Sequence, residues 1–555
     1  MTDHLDVRPI ERLEIDAAAP SDDRPRAPRW AGPVAGLVAG AAAIGTGSLV
    51  AALADVDSPT NAVGSEFIDH TPAWLKRAAI DWFGTADKTA LRAGIFTVIA
   101  LLAAAAGALA RRRPPVGPVI GPAIMVVFGL VGGIVAAGRP GQSWVAAVPA
   151  LCGALVGSAV IVVLAARIRS GDGPRSSPGV PDRAANGYDR RWFVGASGGV
   201  VGASVVAAAA ARRLESQRLD RLAADAPDEL PAVDDPTVIG GTVIESAAPV
   251  VPDEATLSPL TPYLTPNDRF YLIDTALSVP RVRLDRWAVE IGGRVDRPLR
   301  LTYDDLLARP QVERIITLAC VSNEVGGNLI GNATWQGVLL RDLLDEAGVR
   351  PDAEQVFGTS VDGWTCGFPV QAALDGRDAM IAIGMNGEPL PLQHGFPARM
   401  VVPGLYGYVS ATKWLQRIDL TTWDEAEGYW VPRGWARDAP IKTQSRIDVP
   451  RSGEVVPRGV FPIAGIAWAQ HRGVERVEVR VDRGPWQEAR LAPDLTIDSW
   501  RQWVYEWDTT GLAPGDHTIQ VRATDATGAT QTEQVSRPDP DGATGWHTRT
   551  VTVVG

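Results

Sequence analysis

Between Trp30 and Ala166 the chain holds four runs with no charged residue: Trp30 to Ala54, Ala93 to Ala110, Val116 to Ala137 and Trp144 to Ala166. A helix needs about 20 apolar residues to cross a hydrocarbon core. A fifth run, Trp192 to Ala211, is milder and rich in glycine and alanine. A water-soluble bundle would have to bury four such helices on every side, so lipid is the simpler solvent, and the many small residues suit close helix packing there. From about residue 215 onward, tryptophans and alternating strand patterns replace these runs, as in an ordinary globular protein.

Orientation follows from the basic residues. The segments before the first, third and fifth spans carry fourteen of them: Arg8, Arg12, Arg24, Arg26 and Arg29; Arg111 to Arg113; Arg167, Arg169, Arg175, Arg183, Arg190 and Arg191. The alternate segments carry Lys76, Arg77, Lys88 and Arg92, then Arg139, then four after the fifth span. The positive-inside rule therefore predicts a cytoplasmic N-terminus and an extracytoplasmic C-terminal half. The fifth span opens "DRRWFVGASGGVVGAS", a pattern similar to a twin-arginine export signal, although plain positive-inside flanking explains the same arginines. None of the six histidines lies in a span, so no haem is expected in this chain.

The formal charge of −11 argues against a nucleic-acid partner. Lysine is nearly absent: Lys76, Lys88, Lys413 and Lys442 stand against 49 arginines. Of three cysteines, Cys152 lies in an apolar run, which leaves Cys320 and Cys366 as the one pair that could join outside the spans.

The sequence divides into a tail (1–29), a membrane domain of about five helices (30–212), a linker rich in Pro and Asp (213–254), an α+β domain (255–430) and an all-β domain (431–555). In the α+β domain, Thr302 is placed to cap a helix that has Asp304 and Asp305 in its first turn. Val338, Leu339, Leu343, Leu344 and Ala347 recur at helical spacing, and Gly348 follows as a stop. In the last domain "VERVEVRVDRGPW" alternates apolar and charged residues, as in an immunoglobulin-type sandwich.

Three stretches carry chemistry. "ITLACVSNEVGG" delivers Cys320 from a strand into a glycine-ended loop. A lone cysteine is commonly a small buried hydrophobe; it could also be a nucleophile with His394 as base, or a ligand to a soft metal. "PLPLQHGFPARMVVPG" presents His394 and Arg399 from a loop stiffened by proline, a pairing that suits an anion, and Lys413 adds a third cation.

"TLACVSN", "MNGEPLPLQHGFPARMVVPG" and "YGYVSATKWL", in this order, resemble the sulfite oxidase family of molybdopterin enzymes over residues 255–425, and the following domain resembles that family's immunoglobulin-like dimerisation domain. The resemblance implies a molybdenum–molybdopterin cofactor with Cys320 as the sulfur ligand to the metal. It implies pterin contacts from Asn267, Asp268 and Tyr271 in "NDRFY", from Thr359, from His394 and Arg399, and from Ser410, Thr412 and Lys413. Trp364 matches the position of the family's active-site tyrosine. Ile273, Val325 and Val409 match positions where sulfite oxidases place arginines, and Glu324 adds a negative charge nearby. An apolar pocket would desolvate a dianion without pairing it. The expectation is therefore a membrane-anchored oxygen-atom-transfer enzyme acting on a small molecule other than sulfite. It would exchange electrons with a separate carrier and could dimerise through its last domain. A Cys320/His394 thiol hydrolase and a non-catalytic surface-binding protein are the alternatives.

Overall fold

The computed structural model describes residues 27–554 except 73–74, 76–77, 79–81, 84–86, 113, 171–188, 237, 240–241 and 244–259. Most of the N-terminal tail, the segment that carries Arg175 and Arg183, and the end of the expected linker lie outside the described residues. Among the described residues, five helices are long and apolar enough to cross a membrane: α1 (Ala31–Ala54), α3 (Asp87–Ala110), α4 (Gly117–Gly138), α5 (Val148–Ser170) and α6 (Arg190–Ala224). A shorter helix, α2 (Pro59–His70), starts at Ser58, whose hydroxyl accepts the Asn61 N–H.

The described residues within 27–50, 94–133 and 148–210 form one compact unit. Small residues set its packing. A Cβ added to Gly36 would sit 1.9 Å from the Ala103 carbonyl oxygen, and one on Gly107 would sit 2.1 Å from that of Gly32. The backbones of α1 and α3 therefore touch, which only glycine allows. Gly153 brings α5 equally close to α1 at Ala43. The outward face is apolar: Leu101, Leu155 and Val206 are 67, 67 and 68% exposed, as a lipid solvent would require.

The described residues within 51–93, 134–147 and 211–554 form the other unit. Its α+β part holds two sheets. One runs in the order β10 (Glu388–Pro389), β9 (Met380–Met385), β6 (Ile330–Leu339), β5 (Val312–Ala319), with β11 (Arg399–Val401) also paired to β9. The other runs β4 (Leu299–Thr302), β3 (Ala288–Gly293), β12 (Leu415–Thr421), β7 (Gln355–Ser360), β8 (Thr365–Pro369). β1 (Val238–Ile239) and β2 (Thr242–Val243) make a separate hairpin. Thr302 caps the helix Tyr303–Leu307 through a reciprocal pair of bonds with Asp305.

Val338 and Leu339 belong to a strand rather than to the helix their spacing suggests. β6 is paired along both edges, and Val338 faces Ile381 of β9, so sheet pairing overrides local periodicity and the helix begins at Leu340. The linker expected over 213–254 also differs. Its first residues continue α6 to Ala224, and 230–235 lie along the α+β domain, where Asp235 bridges Val312 and Gln336 donates to the Pro231 carbonyl at 2.8 Å.

From Gln444 the chain forms a two-sheet sandwich around Val477, Val479, Trp503, Ile519, Val521 and Val551. It is closely joined to the α+β domain. Trp500 Nε1 donates to the Tyr263 carbonyl at 2.9 Å and Trp500 N–H to Thr317 Oγ1 at 2.8 Å, so the sandwich braces β5 three residues before Cys320.

Candidate functional site

β5 ends at Ala319, and Cys320 begins the turn. Its N–H donates to the Leu329 carbonyl at 2.9 Å and its carbonyl accepts from Asn323 N–H at 3.0 Å, which fixes the loop. Arg446 of the sandwich closes it further by donating to the Gly327 carbonyl at 2.7 Å. Cys320 and Cys366 are both buried free thiols and are not joined. Cys366 is a packing residue. It shares a 3.0 Å hydrogen bond with Thr412, and burial pushes its pKa up to about 12.

Cys320 lines a pocket with Tyr271, Asp274, Trp364, His394, Arg399 and Lys413; Ile273, Ser360, Tyr408 and Trp430 are also in its wall. Arg399 enters from the first residue of β11 and is 6% exposed. Its Nη1 donates to the His394 carbonyl at 3.1 Å and its guanidinium lies 4.9 Å from the centre of the Trp335 ring. Its Nε is buried without a hydrogen-bond partner. Burial lowers its pKa to about 10. Lys413 precedes β12, is 8% exposed, and donates to Asp274 Oδ2 at 2.5 Å and to the Gln393 carbonyl at 3.1 Å.

His394, paired with Arg399 in the sequence as suited to an anion, is not a cation here. Burial drives its pKa down to about 4, and the neighbouring Arg399 and Lys413 reinforce that direction. As a neutral ring it donates Nε2–H to the Asn267 carbonyl at 2.9 Å, which leaves Nδ1 as an acceptor. Burial also raises the pKa of the Cys320 thiol. A histidine committed to a backbone carbonyl and a thiol held protonated do not make an activated nucleophile pair.

Six of the sequence-derived candidates therefore share one wall: Cys320, Trp364, Tyr271, His394, Arg399 and Lys413. The others lie outside it. Asn267 bonds Glu388, Asn386 and the Met385 carbonyl through its side chain, and Asp268 is exposed. Ser360 lines the pocket in place of Thr359, as the alternation of β7 dictates. Ser410 donates to the Tyr406 carbonyl at 3.1 Å, and Thr412 is taken by Cys366. Of the positions matched to arginines, Ile273 is in the wall, while Val325 lies near Gly545 of the sandwich and neither it nor Val409 lines the pocket. Glu324 is exposed and outside. Asp274, Tyr408 and Trp430 went unrecognised in the sequence; only Tyr408 stood inside a quoted motif.

Two buried cations, of which Lys413 is paired with Asp274 while Arg399 keeps an unpartnered guanidinium N–H, fit an anionic ligand. Among the described residues no three His, Cys, Asp or Glu side chains converge, so a metal at Cys320 would need ligands from a bound group. The phosphate and dithiolene of a molybdopterin meet both requirements.

The family model of the oxidoreductase molybdopterin binding domain matches residues 276–430, and that of a bacterial Ig domain matches 444–521. The chain is 32% identical to mitochondrial sulfite oxidase of Homo sapiens over 288 residues, 43% of this chain and 52% of the relative. It is 36% identical over 152 residues to the uncharacterized oxidoreductase YuiH of Bacillus subtilis, 27% of this chain and 73% of the relative. The solved structure of the sulfane dehydrogenase SoxCD from Paracoccus pantotrophus superposes with a TM-score of 0.45 at 25% identity, over 52% of this chain and 81% of that chain. The chain spans about half the length of the sulfite oxidases it matches.

The depressed pKa of His394 gives a pH prediction. A histidine that ionises near 6.5 when unfolded and near 4 when folded contributes stability above the unfolded value; this falls as the pH drops towards 4 and is gone below it. In the cofactor-free protein, urea unfolding at pH 7 and pH 4.5 should show a smaller acid destabilisation in His394→Gln than in the wild type, by about 1–3 kcal/mol. Equal acid sensitivity would mean that His394 is not held neutral by the fold.

Proposed function

Because the chain belongs to the sulfite oxidase family of molybdopterin-dependent oxidoreductases, we propose that the Cys320 pocket holds that family's molybdenum–molybdopterin cofactor and serves oxygen-atom transfer to or from a neutral substrate. The observation that carries this reading is the convergence of a lone buried thiol with two buried cations in one wall. When bound, the cofactor supplies a two-electron metal centre able to give or accept one oxygen atom. Cys320 would be its protein sulfur ligand, deprotonated by the metal despite the raised pKa of the free thiol. Arg399 and Lys413 would hold the anionic end, and Tyr271 and neutral His394 would orient the ring system through hydrogen bonds.

The rest of the wall indicates the substrate. Ile273, Trp364, Tyr408 and Trp430 are apolar or aromatic, and among the described residues Arg399 and Lys413 are the only cations that line the pocket. With both engaged by the cofactor, no guanidinium is left to pair with sulfite, and Asp362 adds a carboxylate to the same wall. An anion entering here would lose hydration without compensation. A sulfoxide or N-oxide carries no net charge, and Trp364 Nε1–H could donate to its oxygen; the Tyr408 hydroxyl is taken by the Ala436 carbonyl at 2.6 Å. Reducing a sulfoxide takes up two electrons and two protons and releases water, so a separate carrier must exchange the electrons. A homodimer through residues 431–555 is compatible with this reading.

Steady-state kinetics with artificial electron carriers test it. Neutral sulfoxides and N-oxides should exceed sulfite in kcat/KM by about tenfold or more, since one unpaired buried charge costs upwards of about 1.4 kcal/mol. Ile273→Arg should raise sulfite turnover and lower that of the neutral substrates. A wild-type preference for sulfite would overturn the proposal.

We further propose that the apolar helices anchor the enzyme with the pocket outside the cytoplasm. The basic-residue distribution supports this, as does the grouping of residues 51–93 and 134–147, the connections after the first and third spans, with 211–555 in one unit. Arg190 and Arg191 open α6, where the Asp189 carboxylate accepts the N–H groups of Arg191 and Trp192. A reporter fused after residue 224 should be active only if it matures outside the cytoplasm, and replacing Arg190 and Arg191 with Lys should block export of the folded domain. Undiminished export would reduce the pair to topology signals.

A further inference from the structure

Asp274 is the one strongly buried carboxylate beside the cations of the pocket, and two lysines meet on it. Its Oδ2 accepts from Lys413 Nζ at 2.5 Å and its Oδ1 from Lys88 Nζ at 2.7 Å. The chain has only four lysines, and arginine serves nearly everywhere else, so two at one carboxylate is a concentrated use. Lys88 stands in the first turn of α3, the second of the apolar helices. It also donates to the Ala276 carbonyl at 2.8 Å, and Arg92, one turn further on, donates to the Leu277 carbonyl. The start of α3 is thus bonded to the 274–277 segment, next to Ile273 in the pocket wall.

The charges explain why this matters. A carboxylate beside Lys413 would by itself cancel the ammonium that an anionic ligand needs, and in a poorly solvated pocket the cancellation is nearly complete. A second ammonium on the other carboxylate oxygen shares that negative charge, so less of it falls on Lys413. Burial acts to raise the Asp274 pKa, but Lys413 and Lys88 outweigh it and hold the acid below its usual range, so the carboxylate stays charged between them. The side chains of Asp274 and Lys413 are 19% and 9% exposed and that of Lys88 is 36% exposed, so solvent screens this carboxylate only in part.

We propose that Lys88 is a positioning residue of the cofactor site: it takes up the charge of Asp274 so that Lys413 remains available to the anionic end of the cofactor. This rests on the molybdopterin reading above.

The test uses the full-length protein in detergent and measures pterin released per chain after dialysis at low and high salt. Wild type should retain close to one pterin. Lys88→Met should retain at least about threefold less, and the deficit should widen with ionic strength as the remaining attraction is screened. Asp274→Asn, and Lys88→Met combined with Asp274→Asn, should both retain cofactor within about twofold of wild type, because removing the carboxylate removes the need for Lys88. A merely structural Lys88 would leave the double variant as depleted as Lys88→Met, and that result overturns the proposal. So would full retention by Lys88→Met. Wild-type protein without pterin would instead refute the cofactor reading itself, and this outcome is distinct from the other two.

Discussion

A guanidinium buried with one of its N–H groups unpartnered is the constraint around which the catalytic domain is arranged. Arg399 lies on Trp335 and reaches one carbonyl, and its lowered pKa records how much solvation it has lost. Lys413, also buried, stands in the same wall. Two such charges are costly unless something anionic joins them. Asp274 answers part of that demand, and a cofactor phosphate would answer the rest. His394 is adapted to the same field: next to two fixed cations a neutral ring is the cheaper state, and its Nε2–H is directed to the Asn267 carbonyl.

Rigidity around Cys320 has a different source. The strand before it is held by Trp500, and the loop after it by Arg446, both from the immunoglobulin-like domain. His547 of the same domain stands so close to Gly326 that a Cβ there would lie 2.3 Å from its ring, and Gly326 also has a φ of +77°. The sandwich thus carries no pocket residue yet limits where the thiol can point, which is what a fixed metal ligand needs.

Much of this was legible in the chain. Long uncharged runs predict helices long and apolar enough to cross a membrane, and alternation with Gly and Asp turns predicts a sandwich; the structure has both. Cys320, Arg399 and Lys413 stood in motifs whose order was specific. Side-chain orientation was not legible. Thr359 and Ser360 are neighbours on a strand, and a motif does not say which one faces the ligand. Asn267, Ser410 and Thr412 turn their side chains to backbone carbonyls or to other side chains, which residue type alone does not reveal. Val338 and Leu339 obeyed helical spacing but were captured by two-sided sheet pairing. Lys88 was invisible for a deeper reason: 186 residues separate it from Asp274, and only the tertiary fold brings them together.

The central claim is that Cys320 is the protein's ligand to molybdenum. X-ray absorption at the molybdenum edge, on matched wild-type and Cys320→Ala protein, addresses it directly. The account predicts equal pterin content in the two samples and one fewer sulfur neighbour per metal in the variant. An unchanged sulfur count, or a wild-type protein that purifies with zinc and no molybdenum, would contradict it.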